Sequence, residues 1–183
     1  MPATLYLVRH GQAAAGFDAH LDPGLAARGR LQAEATAAQL AVRGPLPIYS
    51  SPLARARETA APLARRWGTR PLLEPRVSEL PSPTQDLSER ARLVRNAIQS
   101  RWPQLGADLK AWRESALDWV RGLDSAAVVF THFIAINAIV GAATGDDRVV
   151  VFRPDHASVT RCEVHRGQVV LRELGREADT EIR

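Results

Sequence analysis

The stretch Thr4-Leu5-Tyr6-Leu7-Val8-Arg9-His10-Gly11, near the start of the sequence, decides the fold class. Its first five residues are β-branched, aliphatic or aromatic, which predicts a buried strand. The strand runs into a cation, an imidazole and a glycine, and ligands of open α/β sheets bind outside the carboxyl ends of the strands. An arginine beside a histidine at such an edge can bind an anion and attack it. The stretch therefore points to phosphate chemistry.

The composition is that of one globular domain. Hydrophobic residues make up 45% of the 183 residues and charged residues 24%, as is usual for soluble proteins, and this length allows a sizeable core. We expect a single domain over residues 1–183, with a charged tail after about residue 175. Cys162 is the one cysteine, which excludes an intramolecular disulfide and a cysteine metal cluster. This cysteine usage and the lack of a secretion-signal pattern favour a cytoplasmic location.

The net charge of +4 comes almost entirely from arginine, since Lys110 is the one lysine. Arginine binds phosphate through paired hydrogen bonds and stays ionised. Nucleic acid is not the expected partner, because the arginines alternate with acidic residues and form no basic run with interleaved aromatics. A membrane span is not expected either. Residues 125–145 lack charged side chains, but they include His132 and Asn137 and are predicted to form a strand followed by a packed helix.

Apolar periodicity and the positions of Gly and Pro predict alternating strands and helices. Ser51 is predicted to cap the second helix, with Pro52 in its first turn, and Ser88 to cap the third. This alternation predicts an α/β domain with a mostly parallel central sheet flanked by helices. The predicted strands cover residues 4–8, 46–49, 71–73, 126–131, 149–152, 158–164 and 168–174, and the predicted helices cover residues 25–42, 53–67, 87–102, 105–121 and a segment that ends at 143.

A basic helix follows the second predicted strand. Arg55 and Arg57 lie two residues apart, so they do not share a helix face. One of them can point at a site near the helix start while the other faces solvent or Glu58. The start of a helix also offers unpaired N–H groups that favour an anion. Taken alone, the pattern is typical of an amphipathic surface helix.

A second histidine ends a second apolar strand, in Phe130-Thr131-His132-Phe133. A single histidine after an apolar run is more often a hydrogen-bonded core residue than a functional one. Here, however, two strands each deliver a histidine at the same end, and in a parallel sheet those ends lie on one edge. We therefore expect His10 and His132 to meet there, together with Arg9 and Arg55.

Four motifs that follow one another along the chain resemble those of a known family. They are Leu7-Val8-Arg9-His10-Gly11, Ser51-Pro52-Leu53-Ala54-Arg55-Ala56, Glu79 and Thr131-His132, with a supporting similarity in Asp22-Pro23-Gly24-Leu25, Gly29, Gln32 and Ala33. Together they resemble the histidine phosphatase superfamily, which has the phosphoglycerate-mutase-like fold. The resemblance extends from Leu5 to about Val159.

The resemblance implies that His10 is the nucleophile and accepts a phosphoryl group to form a phosphohistidine. A neutral imidazole nitrogen is a good nucleophile when the other nitrogen is held as a donor. A backbone carbonyl near Gly11 can hold it so, and the glycine permits a close turn there. Cations around the phosphoryl oxygens would stabilise the transition state, and neither a metal ion nor another cofactor is implied. The implied phosphate- and substrate-binding residues are Arg9, Gly11, Gln12, Arg55 and His132.

Glu79, in Val77-Ser78-Glu79-Leu80-Pro81, has the family position of the general acid that protonates the leaving oxygen. It would then activate water to hydrolyse the phosphohistidine. This role requires a raised pKa, through burial or distance from the arginines. Asp86 and Glu89 are the alternative acids, and an exposed loop glutamate without a catalytic role is the other interpretation of Glu79.

The sequence also departs from the family pattern. Ala13 stands where the family usually has Thr or Ser, and Gly16 where it often has Asn, so a phosphate contact is expected to be missing. Phe133 replaces the common glycine after the second histidine and is expected to narrow or reshape the pocket. The remaining histidines, interpreted as surface or incidental residues, are His20, His156 and His165.

The sequence thus predicts a metal-independent phosphomonoester hydrolase acting on a small phosphorylated substrate. Alternatives within the superfamily are a phosphohistidine-protein phosphatase, against which Glu79 speaks, and a phosphoglycerate-type mutase, whose extra basic residues are not identified here. An alternative of another class is a phosphate-binding interaction module with weak catalysis, which Ala13 and Gly16 favour. The oligomeric state is not indicated. The segments expected to set selectivity are residues 12–20, residues 76–86 and the helices up to Arg121, with Trp102 or Trp112 as walls.

Overall fold

The computed structural model describes residues 1–16 and 18–178. These residues form a six-stranded sheet flanked by five α-helices, which confirms the predicted single α/β domain. The strands are β1 (Ala3–Arg9), β2 (Ile48–Ser50), β3 (Leu72–Leu73), β4 (Ala127–Thr131), β5 (Val159–His165) and β6 (Gln168–Glu173), and the helices are α1 (Ala27–Ala41), α2 (Ala54–Trp67), α3 (Leu87–Ile98), α4 (Ala107–Arg121) and α5 (Phe133–Thr144).

The strand order in the sheet is β3-β2-β4-β1-β5-β6. The first four of these strands are mutually parallel, whereas β5 and β6 pair antiparallel at one side. The register pairs Arg9 with Thr131 in the neighbouring strands β1 and β4, and Ser50 of β2 with Phe130 of β4. Consequently the residues that follow β1, β2 and β4 emerge side by side at one edge of the sheet.

The apolar side chains of β1 alternate between the two faces of the sheet, as the period of a strand requires. Leu5 and Leu7 pack with α4 and α5 on one face. Val8 packs with α1 and α2 on the other. Burial on both faces explains why β1 and β4 are near-continuous apolar runs, which is the pattern expected of central parallel strands. A third apolar cluster, which includes Ala97 of α3 and Phe133 of α5, lies beside the carboxyl edge.

Residues 149–152 do not form the predicted strand. The buried side chain of Asn137 in α5 takes their hydrogen bonds: its Oδ1 accepts from the backbone N–H of Val151 at 2.7 Å and of Phe152 at 3.0 Å. The N–H of Val149 donates to the carbonyl of Ser100. Because these donors bind outside a β-ladder, an apolar run of strand-like composition becomes an irregular segment packed on α5.

The ends of helices α2 and α3 also differ from the sequence prediction. Helix α3 is capped by Asp86, whose side chain accepts from the N–H of Glu89 at 2.8 Å, and not by Ser88. It ends at Ile98, before a separate 3₁₀ turn over Trp102–Gln104. Helix α2 begins at Ala54, and its N-cap residue is Leu53, which offers no side-chain cap, and not Ser51.

The first residues of the predicted charged tail, 176–178, are hydrogen-bonded to the rest of the domain. The N–H of Asp155 donates to the carbonyl of Arg176 at 2.8 Å, and the N–H of Ala178 donates to the carbonyl of Arg153 at 3.0 Å. The tail therefore packs along the loop after residue 152, while residues 179–183 lie outside the described residues. Within the described part of the chain, no helix is both long and apolar enough to cross a membrane.

Candidate active site

His10 and His132 lie next to each other where β1 and β4 end. Their ring centroids are 5.2 Å apart, and the two rings are tilted by 57°. The backbone N–H of His10 continues the ladder by donating to the carbonyl of Thr131 at 3.0 Å. The structure thus brings the two histidines together at the edge where the sequence places them. Both are buried, at 7% and 0% exposure.

The imidazole of His10 is held in a defined orientation. Its Nδ1 lies 2.7 Å from the carbonyl oxygen of Gly11, and its Nε2 lies 3.2 Å from Nε of Arg55. A carbonyl and a guanidinium fix the tautomer, since Nδ1 must donate and Nε2 must accept. Burial, followed by the proximity of His132, Arg55 and Arg9, lowers the pKa of His10 well below its usual value. His10 is therefore neutral at pH 7, with its Nε2 lone pair directed at a cation.

Gly11 contributes through close backbone contact. A Cβ atom at Gly11 would lie 2.6 Å from the carbonyl oxygen of Gly29 in α1, and a Cβ at Gly29 would lie 2.1 Å from the carbonyl oxygen of Gln12. The glycine is needed for this approach to α1, and not for the close turn that the sequence suggests. Its N–H donates to the hydroxyl of Thr59 at 3.0 Å. Gly11 thus positions the carbonyl that orients His10.

Arg55 reaches the site from the first turn of α2. It is 8% exposed, whereas Arg57 is exposed to solvent, so the two arginines face opposite ways. Desolvation lowers the pKa of Arg55, while Glu79 and Asp22 raise it. Asp22 lies 3.8 Å from the guanidinium, and its carboxylate also accepts from the N–H of Ala54 at 2.9 Å. This loop carboxylate anchors both Arg55 and the start of its helix.

Three groups contact the guanidinium of Arg9. Its NH1 donates to the carbonyl of Pro154 at 2.8 Å, its NH2 lies 3.2 Å from Nε2 of His156, and the ring of Phe133 lies 5.1 Å below its Cζ atom. Burial lowers the pKa of Arg9 to about 10, which leaves it charged at neutral pH. Its Nε is buried and has no hydrogen-bond partner among the described residues, so this donor is available to a ligand.

His132 presents the opposite nitrogen to that of His10. Its Nε2 lies 2.8 Å from the hydroxyl of Ser51, and its Nδ1 is buried without a partner in the described part of the chain. Burial, with Arg55 and Arg9 nearby, lowers its pKa well below the usual value. Ser51, predicted as the cap of α2, is fully buried and lies two residues before the actual N-cap, Leu53. Its hydroxyl accepts from the N–H of Leu53 at 3.2 Å and also contacts this histidine.

Glu79 sits at the start of α5. Its Oε1 accepts from the N–H of Leu80 at 3.0 Å and from the N–H of Ile134 at 3.3 Å. Loss of solvation raises the pKa of Glu79, although Arg55, Arg9 and both backbone donors oppose the shift. A carboxyl group with a raised pKa beside two arginines has the properties of a general acid.

The other residues singled out in the sequence lie outside this cluster or make contacts through their backbone. Asp86 and Glu89, the alternative acids, form the start of α3. The N–H of Gln12 donates to the side chain of Gln32 at 2.9 Å. Ala13 pairs with Leu25 in an isolated bridge. The substrate contact expected of the Gln12 side chain stays a prediction.

His156 is the residue that the sequence interpretation missed most clearly. The sequence pattern indicates a surface residue, but the ring centroid of His156 lies 6.0 Å from that of His10, and its side chain is half-buried against Arg9. His156 lies just before β5, whose antiparallel pairing of Val159 with Val8 brings it to the end of β1. A sequence signal exists only in hindsight, as a third histidine just before a strand. The described residues hold no group of three His, Cys, Asp or Glu side chains arranged to bind a metal ion.

Arg9, His10, Arg55, Glu79 and His132 form a compact, positively charged cluster at the carboxyl edge of the sheet. Arg9 and Arg55 are charged, His10 and His132 are neutral, and the carboxyl group of Glu79 has a raised pKa. Such a site can bind a phosphoryl group, attack it with an imidazole nitrogen and supply a proton to its leaving group.

Known structures share this fold. One described as Mycobacterial hydrolase 1 has a TM-score of 0.73 at 24% identity, over 97% of this chain and 100% of that chain. A mycobacterial glucosyl-3-phosphoglycerate phosphatase has a TM-score of 0.70 at 24% identity, over 95% and 99% of the two chains. A Thermus thermophilus protein, TTHB049, has a TM-score of 0.60 at 28% identity, over 93% and 99%. The two likenesses at 24% identity show the fold alone.

Sequence comparisons give the family. The PE-PGRS family protein PE_PGRS11 of Mycobacterium tuberculosis is 42% identical over 79 residues, which are 40% of this chain and only 14% of that protein's length. A family model described as the histidine phosphatase superfamily (branch 1) matches residues 5–177. The chain therefore belongs to branch 1 of the histidine phosphatase superfamily.

Proposed function

We propose that the chain hydrolyses phosphomonoesters through a phosphohistidine formed on Nε2 of His10, without a metal ion. The observation that carries this proposal is the neutral His10 imidazole, with Nδ1 facing the carbonyl of Gly11 and Nε2 facing Arg55. A nitrogen that bears a lone pair and is surrounded by cations is matched to an electrophilic phosphorus atom.

In the first step the lone pair of His10 Nε2 forms a bond to phosphorus, and the bond from phosphorus to the ester oxygen breaks. Arg55 Nε, which donates to Nε2 in the free site, then donates to a phosphoryl oxygen instead. Arg9 and the Nδ1 donor of His132 bind the remaining oxygens. Charge spread over these oxygens in the transition state makes preorganised donors the main catalytic resource.

Glu79 supplies the proton in this step and recovers it in the next. The ester oxygen leaves with the proton of the Glu79 carboxyl group. The resulting carboxylate takes a proton from water, which attacks phosphorus and breaks its bond to Nε2, releasing phosphate. The raised pKa supports this cycle, because a carboxyl group of ordinary pKa is fully ionised at pH 7.

The proposed substrate is a small phosphorylated molecule, and the proposed location is the cytoplasm. One structural relative is named a glucosyl-3-phosphoglycerate phosphatase, so phosphorylated glycosides and phosphoglycerates are the first substrates to test after a generic ester. The buried, unpaired Cys162 supports a reducing compartment.

The test is hydrolysis of an aryl phosphate in the presence of a metal chelator, by the unchanged protein, His10→Ala and the control His165→Ala. His165 is exposed at the end of β5. We expect chelator-resistant turnover in the unchanged protein and in the control, and none in His10→Ala. Equal activity in His10→Ala would overturn the proposal. Vanadate binding without turnover of any phosphoester would favour the phosphate-binding module.

The role of Glu79 is tested by the pH dependence of kcat/KM. Attack requires neutral His10 and protonated Glu79. The rate therefore rises as pH increases through the lowered pKa of His10 and falls as pH increases through the raised pKa of Glu79. Glu79→Gln is expected to lower turnover about 10²-fold and to remove the falling limb. An unchanged falling limb would assign the acid to another group.

A further inference from the structure

Three groups restrain the guanidinium of Arg9: the carbonyl of Pro154, Nε2 of His156 and the ring of Phe133. We call this set the Arg9 clamp. Pro154 and His156 each contact a different terminal nitrogen of Arg9, whereas the buried Nε–H has no partner within the described residues. The clamp therefore leaves Nε–H and the remaining terminal N–H groups free for a bidentate contact with two phosphoryl oxygens.

The contact with His156 requires a neutral imidazole. Arginine has donors only, so Nε2 of His156 must accept the hydrogen bond of Arg9 NH2. Burial, followed by the charges of Arg9 and Arg28, lowers the pKa of His156 to about 4, and Asp155 opposes the shift. His156 is therefore neutral at pH 7.

The loop that carries His156 is fixed on several sides. The N–H of His156 donates to Asp155 at 2.8 Å, and Asp155 pairs with Arg176 at 2.8 Å. The carbonyl of Ala157 accepts from the hydroxyl of Thr36 in α1 at 2.7 Å, and its N–H donates to the carbonyl of His10 at 3.2 Å. A braced loop can impose an orientation on a flexible arginine side chain, as preorganised binding requires.

We propose that His156 is a positioning residue, whose neutral Nε2 fixes the Arg9 guanidinium in the orientation that binds the phosphoryl group. The inference rests on the proposed function for its catalytic consequence, but it concerns phosphate binding and is tested without turnover. Phe133 completes the same arrangement from below, where the residue common in the family, glycine, would leave the guanidinium unsupported on that side.

The test is calorimetric titration with inorganic phosphate at pH 7 of four proteins: the unchanged chain, His156→Ala, His156→Gln and the control His165→Ala. We expect His156→Ala to bind phosphate about tenfold more weakly, the effect of one hydrogen bond to a charged group. His156→Gln retains an acceptor and is expected to stay within about threefold of the unchanged protein. The control is expected to bind as the unchanged protein does. Unfolding temperatures are measured in parallel.

The rescue separates positioning from a structural role. If His156→Gln binds as weakly as His156→Ala while both fold, or if His156→Ala binds as tightly as the unchanged protein, the inference is overturned. Undetectable binding by the unchanged protein overturns it as well. Phosphate affinity should also fall more steeply in the unchanged protein than in His156→Gln as pH decreases toward 4, since protonated His156 repels Arg9. Phosphate binding as expected, without hydrolysis of any phosphoester, would instead contradict the proposed function but not the positioning role of His156.

Discussion

The ends of β1 and β4 are alike in topology and different in chemistry. Both strands are central, parallel and buried, and each is followed by a histidine. At the β1 end, a backbone carbonyl takes Nδ1 of His10 and leaves Nε2 toward the site. At the β4 end, Ser51 takes Nε2 of His132 and leaves Nδ1. The sheet determines where each imidazole lies. The group hydrogen-bonded to each imidazole determines which of its two ring nitrogens remains available to a ligand.

This difference supports distinct roles for the two histidines in the proposed mechanism. With Nδ1 protonated against the Gly11 carbonyl, Nε2 of His10 carries a lone pair and can attack. In the proposed mechanism Nε2 of His132 accepts from the Ser51 hydroxyl, so that Nδ1 carries a proton and donates to a phosphoryl oxygen. The same tautomer would then serve as a nucleophile at His10 and as a hydrogen-bond donor at His132.

The largest expected effect comes from replacing each histidine by asparagine, which can donate but cannot be phosphorylated in this way. We expect His10→Asn to lose at least about 10³-fold in turnover and to form no acid-labile phosphoenzyme. His132→Asn is expected to lose about 10²-fold, as for one donor to the transition state, and still to form the phosphoenzyme. Rapid quenching under alkaline conditions with radiolabelled substrate measures both. A phosphoenzyme in His10→Asn would reverse the assignment.

A smaller effect is expected from Ser51→Ala, which removes the hydroxyl that contacts Nε2 of His132 at 2.8 Å and that we propose sets its tautomer. We expect turnover to fall about tenfold, and the ¹⁵N shifts of His132 to move from the Nδ1–H form toward a mixture of tautomers. Ser115→Ala is the matched control, because Ser115 is exposed in α4, away from both histidines. Unchanged ¹⁵N shifts in Ser51→Ala would show that another group holds His132.

The smallest expected effect is on stability. The pKa values of His10 and His132 are lowered in the folded protein, so the unfolded chain binds more protons below about pH 6.5, and stability is lost as pH falls through that range. We expect the unfolding temperature to decrease by several degrees between about pH 7.5 and 5.5. The decrease should be smaller in His132→Asn. Equal slopes in the two proteins would mean that His132 is not kept neutral by the fold.

Most of the fold could be predicted from the sequence because its signals are local. The apolar runs of β1 and β4, and the periodicity of the helices, reflect burial that each segment carries in its own residues. Residues 149–152 are an exception: they have the composition of a strand but form none. The side chain of Asn137 accepts the hydrogen bonds of Val151 and Phe152 that a neighbouring strand would otherwise accept. A contact between residues that are far apart in sequence leaves no trace in a window of a few residues.

The site shows the same division. His10, Arg9, Arg55 and His132 follow from strand ends and a helix start, so sequence reasoning places them together. The residues that tune them do not: Ser51 has the sequence signature of a helix cap, and His156 that of a surface loop. Their roles depend on the pairing of β5 with β1 and of β2 with β4, which brings each beside its partner.

The contact between Gly11 and Gly29 has a consequence for how the site responds to change elsewhere. Two main chains touch there with no side chain between them, so no rotamer can absorb a displacement of α1. The carbonyl that aims His10 belongs to one of these glycines. Substitutions that tilt or shift α1, even on its solvent face, should therefore misalign the imidazole of His10. This misalignment should occur at a smaller displacement of the helix than the one that unfolds the protein.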